Sequence, residues 1–407
     1  MLSLRITFKQ VGLLSAVLYY IFCYISCYEG IPSELNSVFL YLFIGLGVIS
    51  LVLTKCRNLF TPYLKWYLGF IFFSLICIPI TVIYAGTKGI SDTLYQMLVS
   101  FALCNSLVAF VNDSEDLKKI GMAHIIGAVS LFGLLAYAGE LHVDERLGTT
   151  VTGNANTFAS MFMVAALYAV WILILSGKKT DKIFALAALI VIVYALMLSG
   201  GRKFIIIPFV FLYLILIFKT DKHGRKHIFI YTFSIAAIVY GLYFLMMNVD
   251  TLYESIGYRM QFLINQITGK GEIGRSNTIR KELRKLAFKE GWTSPIVGHG
   301  FDSFKFLGWQ KLNFFAYSHN NWTEMWYNGG IIGLVVYYSF YYKVVCQAWK
   351  IKEVNQPAAL LGLAGIMSIF IYEYGGVDYC TYPIQSFICL LSILIFSDRE
   401  GATYESL

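Results

Sequence analysis

Apolar runs of membrane-spanning length fill most of this chain, and no other feature limits its fold as tightly. Twelve can be marked out, at about 11–28, 37–54, 63–86, 93–112, 119–138, 154–176, 182–199, 202–219, 227–247, 322–345, 358–374 and 381–397. A helix needs roughly 20 apolar residues to cross the hydrocarbon layer of a bilayer. Lipid offers no partners to backbone N–H and C=O groups, so runs of this length cross as helices, which satisfy those groups internally. The expectation is an all-α polytopic membrane protein of about twelve transmembrane helices, a single transmembrane domain over 1–407. Composition agrees: 14% of the residues are charged, against about 25% in soluble domains. The lipid bilayer is the expected surroundings, and no nucleic acid is expected as a partner. The first run has no small-residue cleavage site after it and reads as an anchor. The tightest boundary is Ser199 to Arg202, where two spans nearly touch.

Lysine and arginine placement orients the chain, because positive charge is retained on the cytoplasmic side. With the N-terminus inside, the cytoplasmic loops hold Lys55, Arg57, Lys118, Lys119, Lys178, Lys179, Lys222, Lys350 and Lys352, among others. The short outer loops hold only Lys88, Arg146, Arg202 and Lys203. This arrangement puts both termini in the cytoplasm and makes 248–321 the one large external loop, inserted within the domain. The eight cysteines form no Cys-x-x-Cys and suggest neither a zinc site nor a disulfide framework. No Asp-x-Asp and no carboxylate cluster suited to a divalent cation is visible, so neither metal nor cofactor is expected.

Within the external loop, 277–292 reads as a helix with Ser276 as N-cap. Ile279, Leu283, Leu286 and Ala287 form an apolar stripe, and Lys281, Lys285 and Lys289 with Arg280 and Arg284 make the other face basic. Such an amphipathic helix can lie on a membrane surface. The run from Trp292 through Pro295 to Phe304 carries the turn residues that end it.

Few polar residues stand where spans meet the outer face. Arg202 lies in Leu198-Ser-Gly-Gly-Arg-Lys203, where glycines let backbone approach a ligand and a helix N-terminus adds positive potential. This corner suits a phosphate, with Lys203 beside it; the alternative is an arginine reaching lipid headgroups. Arg146 precedes Gly148, Asn154 and Asn156. Arginine grips phosphate with two parallel donors, and asparagine can bond sugar hydroxyls. The alternative is an ion pair with Glu145 or Asp144. Arg275 opens the loop helix; a solvated charge is its alternative, as it is for Arg280 and Arg284. His319 sits in Ser318-His-Asn-Asn-Trp-Thr-Glu324, where imidazole can take a proton from a hydroxyl. Its ordinary pKa of about 6.5 implies a rate that falls as pH drops through that value. Asn320 stands next to it. Glu324, five residues on, can orient an arginine or belong to the core. His299, between Gly298 and Gly300, reads as structural. Of the other histidines, His124 falls within a span, His223 and His227 are cytoplasmic, and His142 lies in a short loop.

Taken in order, these segments resemble the O-antigen ligase and polymerase family. The shared marks are Arg146-x-Gly148 with an asparagine-rich span start, Ser199-Gly-Gly-Arg202, a loop arginine at 275, Gly298-His-Gly-Phe301, and His319-Asn320 ahead of Glu324 and a glycine-rich helix start. The resemblance covers about 140–340. Gly201 departs from it where a small polar residue is frequent, as do Asn321 and Trp322 after His319-Asn320. It implies a GT-C-like fold and a metal-independent, inverting glycosyltransferase at the outer face of the bacterial cytoplasmic membrane. The implied partners are undecaprenyl-diphosphate-linked glycans as donor and acceptor, with a flippase and a chain-length regulator as protein partners. His319 is then the general base; Arg146, Arg202 and Arg275 hold the diphosphate, assisted by Asn154, Asn156, Asn320 and Glu324, with Arg280, Arg284 and Lys203 behind them. A polymerase of repeat units is favoured on the abundance of Tyr and Phe, which can stack on sugars. A ligase moving finished polymer to lipid A core is the alternative within the family. A lipid-linked oligosaccharide flippase is the rival from another class; transporters tend to show internal repeats, and none is seen here.

Overall fold

A computed structural model describes residues 7–86, 90–141, 146–219, 225–271 and 274–396. Lys88, His142, Asp144, Glu145, Lys222 and His223 lie outside the described residues. The helices in chain order are α1 (Phe8–Ile25), α2 (Glu34–Leu53), α3 (Pro62–Ile76), α4 (Ile78–Ala85), α5 (Ile90–Phe110), α6 (Ser114–Tyr137), α7 (Thr149–Thr152), α8 (Ala155–Leu175) and α9 (Lys179–Leu198). They continue as α10 (Arg202–Lys219), α11 (Arg225–Asn248), α12 (Asp250–Leu252), α13 (Tyr258–Thr268), α14 (Arg275–Gly291), α15 (Phe304–Leu312), α16 (Asn321–Ile351), α17 (Gln356–Tyr372) and α18 (Tyr382–Phe396). No strand occurs among the described residues.

Each of the twelve apolar runs is helical. Among the described residues nine helices are long and apolar enough to cross a membrane, and the pair α3 and α4, bent by 49° at Cys77, makes a tenth. The other two are α10, which carries Arg202, Lys203 and Lys219, and α18, of 15 residues. The protein is an all-α polytopic membrane protein. Side chains cap the starts where backbone N–H groups lack partners: Thr7 and Gln10 form a reciprocal box on α1, and Asn154 caps α8.

The centre of the bundle is α8, which packs against α6, α9, α10 and α18. Most of it is buried, and Ala165, Ala166 and Ala169 let neighbours approach closely. By contrast, α11 buries only Met246 among its described side chains and packs on α10 and on the segment that follows it. The narrow gap between α9 and α10 is a turn at Gly200, whose φ is +67°. A Cβ there would lie 2.8 Å from the Ser255 carbonyl and 3.1 Å from Arg146 Nε, so glycine is needed for both angle and space.

Two expectations need correction. The loop helix begins at Arg275 with Gly274 as its cap, so Ser276 is inside it and caps nothing. Its apolar stripe does not face lipid: Leu283 and Ala287 are fully buried with Phe304 and Tyr327, flanked by Ile279 and Leu286. Burial against α15 and α16 removes that surface from water more completely than a membrane interface would. The glycine-rich start of α16 is also not continuous helix. Gly330 has φ +60° and ψ −159°, and the chain at 295–300 lies along the break. Ile331 N–H donates to Pro295 O at 2.9 Å, and Gly300 N–H donates to Asn328 O at 2.9 Å. These bonds satisfy the backbone groups that the break frees, the condition for irregular backbone within a membrane domain.

Candidate active site

A cavity of about 530 Å³ opens where α10 begins, bounded by the starts of α8 and α16, by α13 and α14, and by the turn after α17. Its wall gathers five arginines and a lysine: Arg146, Arg202, Lys203, Arg259, Arg280 and Arg284. Asn156, Asn277, His319 and Tyr374 complete the polar lining, and no Asp or Glu is among the described lining residues.

The cations are positioned by backbone and amide oxygens, not by carboxylates. Arg146 Nε donates to Ser199 O at 2.8 Å, and its Nη2 donates to Asn156 Oδ1 at 3.1 Å. Arg202 donates through Nη1 to Arg259 O at 2.8 Å and through Nη2 to Asn277 Oδ1 at 2.6 Å, tying α10 to α13 and α14. Arg259 Nε donates to Tyr258 Oη at 2.9 Å. The Arg284 guanidinium lies 5.1 Å from the Tyr374 ring centre. Burial, then the fields of Arg259 and Arg280, push the Arg146 pKa down to about 10. Burial likewise lowers that of Arg280, with Arg259 and Arg284 adding to the effect. Both stay charged at neutral pH, in a cavity whose cations repel one another, and an anion would relieve that repulsion.

His319 stands at the edge of this cluster with φ +58°, in the left-handed region that histidine enters more readily than most residues. The next residue, Asn320, caps α16 by accepting from Thr323 N–H at 2.8 Å, and its Nδ2 donates to Tyr374 O at 3.1 Å. The cap and that cross-tie fix the backbone on which His319 is carried. The Tyr317 ring packs against the imidazole, with centres 4.6 Å apart. The ordinary imidazole pKa does not apply in the unloaded site. Burial, then Arg280, Lys203 and Arg284, lower it to about 3, so His319 is neutral throughout the physiological range.

Seven of the eleven residues singled out in the sequence line the cavity: Arg146, Asn156, Arg202, Lys203, Arg280, Arg284 and His319. The other four do not. Asn154 is spent as the cap of α8, accepting from Asn156 N–H at 2.9 Å. Asn320 is spent as the cap of α16. Arg275 is exposed at the first position of α14, outside the cavity wall. Glu324 is buried and accepts from Ser318 N–H at 2.6 Å and from Asn328 Nδ2 at 3.2 Å; the structure gives it the core role and no arginine partner. His299 is structural, stacked on Tyr327 at 4.3 Å and bonded to Thr293 at 2.8 Å. Sequence reasoning missed Arg259, Asn277 and Tyr374. The available signal for Arg259 was an arginine in Ser255-Ile-Gly-Tyr-Arg259, just after a long span and ahead of the loop helix.

The stretch that brings most of these groups together is also the one that matches a known family. Residues 164–338 match the family model described as O-antigen ligase. Over that stretch the chain is similar to the O-antigen ligase and polymerase family. Members are glycosyltransferase-like enzymes of bacterial membranes. The matched segment contains Arg202, Lys203, Arg259, Asn277, Arg280, Arg284 and His319, while Arg146, Asn156 and Tyr374 lie on either side of it. No curated protein matches the chain.

Proposed function

We propose that this protein polymerises undecaprenyl-diphosphate-linked oligosaccharide repeat units into O-antigen or capsular polysaccharide at the outer face of the cytoplasmic membrane. The observation that carries this reading is the cavity: six cations and one neutral histidine at its wall, with no carboxylate among the described lining residues. A diphosphate is the anion that suits such a charge density. A second cavity of about 390 Å³, almost wholly apolar, runs between α10 and α11 and shares Arg202 and Ile206 with the first. A polar cavity continuous with an apolar groove on the lipid side suits a diphosphate carried on an isoprenoid chain.

In this mechanism the neutral His319 imidazole accepts the proton of the acceptor hydroxyl as its oxygen attacks the anomeric carbon. The bond from that carbon to the diphosphate breaks, and its electron pair leaves with the diphosphate. The arginines stabilise the charge that develops there. Attack opposite the leaving group inverts the anomeric configuration. Donor binding offsets the field of Arg280, Lys203 and Arg284, so it raises the basicity of His319 at the moment a base is needed. Arg202, Arg146, Arg259, Arg280 and Arg284 are the proposed diphosphate ligands.

A ligase passing polymer to a different acceptor would use the same chemistry. Purified protein in liposomes, supplied with lipid-linked repeat units alone, distinguishes the two. Chains of several repeats on the lipid support the polymerase. Product formed only after a non-identical acceptor is added would assign the ligase.

A further inference from the structure

The turn after α17 reads Glu373-Tyr-Gly-Gly-Val-Asp378 and is wrapped around one ammonium group. Lys203 Nζ donates to Gly375 O at 2.8 Å and lies 3.9 Å from the Tyr372 ring centre. A Cβ added at Gly376 would come within 2.6 Å of that Nζ, although the backbone there is extended and would accept any residue. The missing side chain therefore makes room for the ammonium and serves no backbone angle.

Two fully buried carboxyls close the turn. Glu373 accepts from Tyr341 at 2.6 Å and Tyr338 at 2.7 Å, and Tyr337 approaches at 3.3 Å. No N–H or O–H donor among the described residues reaches either oxygen of Asp378.

We propose that the 373–378 turn is a clasp that positions the Lys203 ammonium at the cavity wall, through the Gly375 carbonyl, the Tyr372 ring and the space left at Gly376. Gly376 is then a positioning residue for an anionic ligand. This rests on the diphosphate reading of the cavity. Across the cavity Lys203 faces Arg146, Arg202, Arg259, Arg280, Arg284 and His319, all cationic or neutral, with Tyr372 beside it.

The test is binding of undecaprenyl diphosphate, lacking any glycan, to the full-length protein in nanodiscs at pH 7.5. Gly376→Ala displaces only the flexible end of Lys203 and should weaken binding about tenfold, the loss of one charge-assisted hydrogen bond. In a Lys203→Met background, Gly376→Ala should not weaken binding further. Equal losses with and without Lys203 would overturn the clasp, as would full binding by Gly376→Ala. If the alanine variant does not fold, Gly376→Ser is put through the same cycle and read in the same way. Failure of the unmodified protein to bind the diphosphate would instead overturn the reading of the cavity.

Discussion

Replacing Arg202 by lysine is the sharpest perturbation of the cavity that leaves its charge unchanged. Both terminal nitrogens of Arg202 are engaged, one with Arg259 O at 2.8 Å and one with Asn277 Oδ1 at 2.6 Å. The planar fork therefore positions α13 and α14 around the cavity while presenting its charge to a ligand. One ammonium can reach one of these acceptors but cannot bridge both and also face a phosphate. The loss of one hydrogen bond from a charged group costs about 1.5–3 kcal/mol. If that loss falls on the transition state, kcat/KM drops by about 10- to 150-fold. Because the retained charge still attracts a diphosphate, KM should rise modestly and kcat should carry much of the loss. The assay is initial rate against donor concentration, with purified protein in liposomes and a melting curve on the same samples. Asn277→Ala should reproduce a part of the defect, since it releases the same arm. An Arg202→Lys protein with unchanged melting and kcat/KM within threefold of the parent would refute the positioning argument.

Arg275 is exposed and outside the cavity, so Arg275→Lys should change kcat/KM less than threefold in the same assay; a loss like that of Arg202→Lys would bring Arg275 into the site. The pH profile carries a sign. Burial and the neighbouring cations lower the His319 pKa to about 3, well below the ordinary value, so kcat/KM should show no acid limb from His319 between pH 5 and 8. A bound diphosphate raises that pKa, so any acid limb in kcat lies higher than the one in kcat/KM. An acid limb near 6.5 in kcat/KM that disappears in a His319 variant would contradict this ordering. A cysteine at Lys285, in a cysteine-free protein, should react with an impermeant reagent added to intact cells; reaction only after permeabilisation would reverse the proposed orientation.

The parts of the fold written in local pattern were legible, and those made by distant pairing were not. Every apolar run became a helix, because length and hydropathy alone require it. The Gly330 break was hidden, since it depends on what packs beside it: Pro295 and Ile296 supply carbonyls to Ile331 and Ile332. The bend at Cys77 did have a local signal, Pro79, which reading 63–86 as one run passed over. The site divides in the same way. Arg146, Arg202 and His319 stand at span ends, where a polar residue is conspicuous. Arg259 is brought in by a carbonyl bond to a residue 57 positions away. The basic loop helix was read as one face, but its arginines and lysines part company. Arg280 and Arg284, four apart, turn to the cavity beside the buried Leu283 and Ala287, while Lys281, Lys285 and Lys289 remain exposed. Glu324 could not be assigned from spacing, because its partners, the backbone of Ser318 and the side chain of Asn328, are set by the capped turn into α16.

The central claim is that a neutral His319, at the wall of a diphosphate-sized cationic cavity, takes the proton of the attacking hydroxyl. Its most direct measurement is turnover of purified lipid-linked donor by His319→Ala protein of normal melting temperature and normal donor affinity. The account predicts a fall in kcat of about 10²–10⁴, the usual loss on removing a general base, with donor binding retained because the arginines remain. A His319→Ala protein that extends the donor at a near-normal rate would contradict it.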